Sequence, residues 1–248
     1  MKNIDNVYDR EGFYNEYKKM RDGKINANEL IEIPTIKSML PDLKGKTIID
    51  LGCGNGNMSR YFVENGASKV YALDVSNNMI EEAKLNNNLK EITYLTMPLE
   101  ELDKIDEKFD IAFSSLAFHY IEDFSKLIKD IYNLLNDKGM LIFSQEHPLN
   151  TASILDEQTE KYIEINKKRY YLISDYNNNS KREIIWNNDK VIKYHRNFSL
   201  TINTIINKGF NLLQIKESKP NDEIIKIVDK YKYQNDRPYF LFVKAQKI

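Results

Sequence analysis

Between residues 46 and 143 short apolar runs alternate with amphipathic stretches, and this alternation most limits the folds open to the chain. Strands are expected at residues 46–50, 69–73, 92–95, 109–113 and 140–143. Between them lie helical patterns. The clearest places Phe124, Leu127, Ile128, Ile131, Leu134 and Leu135 at three- and four-residue spacing on one face. Strands separated by helices imply a parallel sheet with helices on both sides, because a parallel partner is reached only by a crossover. Later strands at residues 211–216 and 239–243, one of them antiparallel at the sheet end, bring the count to seven. The expected fold class is α/β: a doubly wound, mostly parallel seven-stranded sheet.

The flanks of this pattern differ from it. Residues 1–43 read as a helical cover, tyrosine-rich at its start and punctuated by Pro34 and Pro41. Residues 44–145 form the alternating core. Residues 146–197 break the rhythm and read as an inserted lid. In it, residues 168–173 and 183–186 form a hairpin joined through Asn177, Asn178 and Asn179. Residues 198–248 supply the last helices and strands of what is expected to be a single domain.

Composition narrows the function classes. The chain has 36 Lys and Arg against 37 Asp and Glu, a net charge of −1, so no global field draws it to nucleic acid or to an acidic membrane. Its single cysteine, Cys53, excludes an intramolecular disulfide. No apolar run approaches the ~20 residues of a spanning helix, and the first residues lack an apolar signal core. A cytoplasmic protein with a small-molecule substrate is expected, with no nucleic-acid or membrane partner and an open oligomeric state. The H-E-x-x-H and C-x-x-C patterns are missing from the sequence, so no metal is expected.

The chemistry-bearing motif is Asp50-Leu51-Gly52-Cys53-Gly54-Asn55-Gly56, between a strand and a helix. Glycines there let the backbone turn sharply and let a ligand approach. The spacing is G-x-G-x-G, and Asn57 stands where a dinucleotide fold would carry its third glycine. Asp50 directly precedes the loop. A carboxylate there would repel a pyrophosphate and attract an ammonium. Asp74 ends the second strand about 20 residues on, where a carboxylate accepts ribose hydroxyls.

With Asp74, this loop resembles the signature of class I S-adenosylmethionine-dependent methyltransferases, in particular bacterial small-molecule enzymes. The likeness extends to Ser114-Ser115-Leu116-Ala117-Phe118-His119-Tyr120 and to Glu146-His147-Pro148. It implies S-adenosylmethionine as cofactor and S-adenosylhomocysteine as product. It implies that Gly52, Gly54 and Gly56 line the methionine part, with Asp50 orienting the loop or the ammonium. Asp74 would hold the ribose, Val75 and Met79 would pack the adenine, and Leu99 and Glu100 would border it. Pro98 replaces an acid found in many relatives at that edge. Ser114 would offer its backbone beneath the methyl, and Tyr17 and Arg21 would close over the cofactor. His119, Glu146 and His147 are candidates for acid–base work or acceptor contact. Methyl transfer to RNA or protein, and a non-catalytic cofactor-binding regulator, are the competing readings.

Overall fold

The computed structural model describes residues 6–23, 25–153, 162–186 and 189–248, without the side chains of Met20, Arg21 and Asp22. The chain begins with a 3-10 turn, Val7–Asp9, then helix α1 (Glu11–Asp22). A π-helical turn, Asn28–Glu32, runs into α2 (Ile33–Lys37). The alternating core follows: β1 (Thr47–Leu51), α3 (Asn57–Glu64), β2 (Lys69–Asp74), α4 (Asn77–Asn86), β3 (Ile92–Thr96), β4 (Phe109–Ser115), α5 (Phe124–Leu134) and β5 (Leu135–Glu146).

Residues 148–194 hold a one-turn helix α6 (Pro148–Thr151) and strands β6 (Tyr162–Ile165), β7 (Lys168–Tyr171), β8 (Lys181–Trp186) and β9 (Asp189–Tyr194). Then come α7 (Phe198–Asn207), β10 (Phe210–Glu217), α8 (Asp222–Ile227), a 3-10 stretch at Asp229–Asn235, and β11 (Phe240–Lys247).

The seven-stranded sheet has the order β10-β11-β5-β4-β1-β2-β3. β1 pairs in parallel with β2 and β4, β2 with β3, and β4 with β5. β11 enters between β5 and β10 and runs antiparallel to both. Adjacent residues of β1 serve opposite faces. Ile49 joins the core under α5 and α7, and Ile48 joins the core under α2, α3 and α4. This is the two-residue period of a strand buried on both sides.

The helix ends match their sequence signals. Ser76, Asp123 and Asn197 cap α4, α5 and α7 by accepting backbone N–H bonds from Met79, Lys126 and Leu200. Gly66 and Gly209, at φ +95° and +97°, turn the chain after α3 and α7. The strand expected at residues 140–143 is longer, and β5 takes in Asp137-Lys138-Gly139. Its residue Lys138 has φ +61°, and the β4–β5 register shifts between Phe109 and Ile111.

The inserted segment corrects one expectation. Residues 168–173 and 183–186 do not pair with each other; they belong to two hairpins, β6–β7 and β8–β9. The first closes through Asn166-Lys167, both at positive φ, the backbone of a tight two-residue turn. The asparagine-rich stretch links the hairpins and wraps Arg182, whose guanidinium donates to the carbonyls of Ala152 and Asn178. Among the described residues, no helix is long and apolar enough to cross a membrane.

Candidate cofactor and acceptor site

The carboxyl ends of β1, β2 and β4 meet around the glycine loop. Gly52 and Cys53 both donate their N–H to the Leu73 carbonyl at 2.8 Å, which folds the loop onto the end of β2. Gly54 N–H donates to Asp74 Oδ2 at 2.9 Å, and Ser76 N–H donates to Oδ1 at 2.9 Å. Two backbone donors therefore fix the Asp74 carboxylate and leave it lone pairs for a diol.

The three glycines lie at φ +77°, +53° and +79°, and a Cβ atom would fare differently at each. At Gly52 it would stand 2.5 Å from the Ala117 Cβ, and at Gly56 it would stand 2.5 Å from the Tyr94 hydroxyl. At Gly54 it would meet nothing within 4 Å. Gly52 and Gly56 are thus glycine for packing as well as backbone, whereas Gly54 faces open space.

That space is a cavity of about 160 Å³, whose lining includes Asp50, Gly52, Cys53, Gly54, Met79 and Ser115. Tyr14, Tyr17 and Lys18 of α1 close one side, and Glu29, Ile33 and Lys37 close another. Asp50 is 1% exposed and accepts a 2.6 Å bond from Ser59 Oγ in the first turn of α3. Burial pushes its carboxyl up to about 7, the Ser59 bond opposes this, and the Asp74 charge adds to it. Asp74 is also raised by burial, against its backbone hydrogen bonds. Two carboxyls costly to ionise beside an open glycine suit a ligand carrying a positive charge and hydroxyls. The residues present fit a nucleoside bearing an amino acid.

Of the sequence-derived cofactor residues, the cavity gathers Tyr17, Asp50, Gly52, Gly54 and Met79. Gly56 caps α3 behind it, and Asp74 anchors the loop from below. Val75, Leu99 and Glu100 are not part of its lining. Leu99 is buried in the core, and Glu100 is exposed with its carbonyl accepting from Lys126. The Ser114 hydroxyl donates to the Leu51 carbonyl inside the sheet, and its neighbour Ser115 reaches the cavity. The Arg21 side chain lies outside the described residues.

Sequence reasoning did not foresee the contact between Ser115 and Glu32. Glu32 is 0% exposed, and its Oε1 accepts from the Ser115 hydroxyl at 3.0 Å and from the Ser144 hydroxyl. A buried carboxylate needs such donors. The π-helical turn that delivers Glu32 to β4 and β5 has no local sequence signal.

The three acid–base candidates sit further along the same edge, and none lines the cavity. His119 is buried in the turn after β4 against Tyr120, with ring centroids 4.3 Å apart. Burial lowers its pKa to about 3, and the Lys193 and Arg196 charges add to this against the pull of Glu146. An imidazole so weakly basic is a poor proton acceptor at neutral pH. His147 caps α6: its Nδ1 accepts the Leu149 N–H at 3.1 Å, so Nε2–H donates to Glu217 at 2.8 Å. Both ring nitrogens are used in holding the backbone and β10. Glu146 pairs with Lys193 of β9 at 2.5 Å. Lys193 in turn faces the Trp186 ring at 5.4 Å. Among the described residues, no group of three or more His, Cys, Asp or Glu is placed to hold a metal ion.

The N-terminal segment spans the site. Tyr8 and Tyr120 share a 3.0 Å hydroxyl hydrogen bond, and Asp9 accepts from Ser76 Oγ at 2.6 Å. Arg10 pairs with Asp189 of β9 at 2.9 Å. Phe13 and Tyr17 meet Trp186 edge-on at centroid distances of 5.3 and 5.9 Å.

Comparisons with known proteins agree with this geometry. A family model described as a methyltransferase domain matches residues 49–143. An uncharacterised Haemophilus influenzae protein is 38% identical over 100% of this chain and 99% of its own length. The crystal structure of an S-adenosylmethionine-dependent methyltransferase from Mesorhizobium loti superposes with a TM-score of 0.80 at 34% identity, covering 91% of this chain and 99% of that one. A malonyl-[acyl-carrier protein] O-methyltransferase from Hamiltonella defensa is 29% identical over 43% of this chain and 40% of its own length. A sheet order, a glycine loop and a full-length relative that all agree place the chain in a family: it belongs to the S-adenosylmethionine-dependent methyltransferases.

Proposed function

We propose that the protein methylates a small-molecule acceptor held between the glycine loop and the inserted hairpins. Bound S-adenosylmethionine supplies a methyl group already activated on a sulfonium, so the protein's main task is to align a nucleophile behind it and exclude water. In this reading the backbone at Gly52 and Gly54 lies against the methionine part, and Asp50 faces its ammonium. Asp74 accepts the ribose hydroxyls, Val75 and Met79 pack the adenine, and Leu99 and Glu100 border it. Ser114 and Ser115 approach the methyl from the end of β4. Tyr17 covers the cofactor. Glu146, paired to Lys193, is the best-placed group to contact the acceptor, whereas His119 and His147 hold the walls.

The observation that carries the acceptor class is the enclosure. The cover meets β9 through Arg10 and Asp189, and Trp186 through Phe13 and Tyr17. A site bridged from both sides favours a compact acceptor over a polymer. The acyl-carrier O-methyltransferase matches only 43% of this chain, so its acceptor does not transfer by likeness.

Two experiments test this. In calorimetry S-adenosylmethionine and S-adenosylhomocysteine should bind, NADH should not, and Asp74→Ala should weaken both by about tenfold or more through loss of hydrogen bonds to a charged group. NADH binding in their place would sink the cofactor assignment. With methyl-labelled cofactor and a size-fractionated cell extract, label should enter the low-mass fraction. Label in RNA or protein instead would overturn the small-molecule reading.

A further inference from the structure

Beyond the glycine loop lies a second cluster with the chemistry of a binding site. One face of the β6–β7 hairpin carries Tyr162, Glu164, Arg169 and Tyr171, paired across the strands as Tyr162 with Tyr171 and Glu164 with Arg169. This face stacks on the segment leading into β11. The Arg169 guanidinium lies between the rings of Tyr162 and Tyr233, at 3.6 and 3.9 Å from their centroids. The Arg237 guanidinium lies over the Tyr171 ring at 4.1 Å. Two cations thus interleave with three aromatic rings.

Stacking satisfies the flat faces of a guanidinium and leaves its edge N–H groups to find acceptors. Here one such group on each arginine is unmet. The Nε atoms of Arg169 and Arg237 are both buried without a hydrogen-bond partner. Arg169 has one carboxylate neighbour, the half-exposed Glu164 at 3.2 Å. Among the described residues Arg237 has no ion-pair partner. Lys232, paired with Asp229 at 2.7 Å, adds a further positive charge near Arg169, so the cluster carries three cations against Glu164 and Asp229. Buried polar groups without partners ordinarily point to a ligand, ion or water that completes them.

The location matters as much as the chemistry. Phe240, three residues after Arg237, stands opposite Glu146 at the end of β5. Asn150 Nδ2 donates to the Tyr239 carbonyl at 2.8 Å, tying this segment to α6. The arginines are therefore at the edge of the sheet that carries the glycine loop, where open α/β sheets bind ligands. Two inter-strand steps, roughly 10 Å, separate the start of β11 from the end of β4.

We propose that Arg169 and Arg237 form an anion-binding subsite for the methyl acceptor, holding a carboxylate or phosphate between tyrosine walls. The acceptor is then an acidic small molecule whose anionic group lies about 10 Å from the atom that receives the methyl. The paired forks suit a planar or tetrahedral oxyanion, for which guanidinium is the preferred donor. This inference rests on the small-molecule reading above and adds the chemical class of the acceptor to it.

The test follows the arginine Nε–H resonances of the whole chain by NMR while inorganic phosphate, and separately glutarate, are titrated in. Saturable shifts of the Arg169 and Arg237 signals are expected, and the stronger of the two probes identifies the anion as phosphate or carboxylate. Arg237→Gln should weaken the response by about tenfold or more, and Arg237→Lys should restore part of it. S-adenosylhomocysteine affinity, read by calorimetry on the same samples, should be unchanged in both variants, which shows that they are folded. Absence of saturable shifts, or equal binding in Arg237→Gln, would overturn the subsite. Loss of S-adenosylhomocysteine binding by the wild type would instead overturn the cofactor reading, leaving the anion titration to be judged by itself. With an acidic acceptor in hand, Arg237→Gln should raise KM at nearly constant kcat.

Discussion

The glycine loop separates two duties that its three glycines share on paper. An alanine at Gly54, φ +53°, costs about 1–2 kcal/mol of left-handed backbone strain and nothing in packing. It would, however, place a methyl in the cavity. At Gly56 the same strain adds to a 2.5 Å clash with Tyr94, for a total of about 2–5 kcal/mol. Gly54→Ala should therefore lose S-adenosylhomocysteine affinity while melting within a few degrees of the wild type, and Gly56→Ala should melt far lower. Calorimetry and thermal melts on both variants check this.

Asp50 gives a pH signature. Its folded pKa of about 7 is raised from 3.8, so its stabilising contribution is complete below the unfolded value and lost as pH rises through 7. At about 1.4 kcal/mol per unit, Asp50→Asn should become the more stable protein by up to about 4 kcal/mol above pH 7 without cofactor, and the gap should shrink toward pH 4. Denaturant titrations of both proteins across that range measure it. The comparison cancels the three histidines. Burial lowers their pKa values, and they act in the opposite direction, losing stability as pH falls below 6.5.

At the scale of elements, legibility followed locality. Asp50, Gly52, Gly54 and Asp74 were readable because a strand–loop–helix unit places them within a few residues of their neighbours, with Asp74 one parallel strand away. The contacts of Ser115, Glu32 and Lys193 were not, because their neighbours come from a π-helical turn, β4, β5 and a distant hairpin. The hairpin pairing was misjudged for a related reason: Asn166-Lys167 lacks the glycine that usually marks a tight turn, whereas Asn177, Asn178 and Asn179 look like one and act as a linker around Arg182. Aromatic contacts join the cover to the β8–β9 hairpin. Phe13 is fully buried against Tyr8, Tyr17 and Trp186. Phe13→Ala removes contacts worth about 3–5 kcal/mol, but they join α1 to the hairpin, not the sheet to its helices. Faster amide exchange across residues 7–20 and weaker cofactor affinity are expected, with exchange in β1 and β4 unchanged.

Over the whole molecule the burial pattern sets a stability gradient. β1, β4 and β11 have long buried runs, while β6 and β7 show little burial and, among the described residues, pair only with each other. Two-stranded hairpins are marginal alone, so β6–β7 should exchange its amides through local opening while β4 exchanges only through global unfolding. Native-state exchange in low denaturant separates the two classes. The doubly wound, mostly parallel class was legible, since strands alternating with helices leave few alternatives; the insertion of β11 between β5 and β10 was not, nor was what sits above the carboxyl edge, because that surface is assembled from distant parts of the chain. Trp186, placed where those ends meet, has a practical meaning. It is the only tryptophan in the chain, and Tyr17, Phe13 and the Lys193 ammonium surround it. The protein thus carries an intrinsic optical gauge, whose emission reports the docking of its N-terminus without any attached dye.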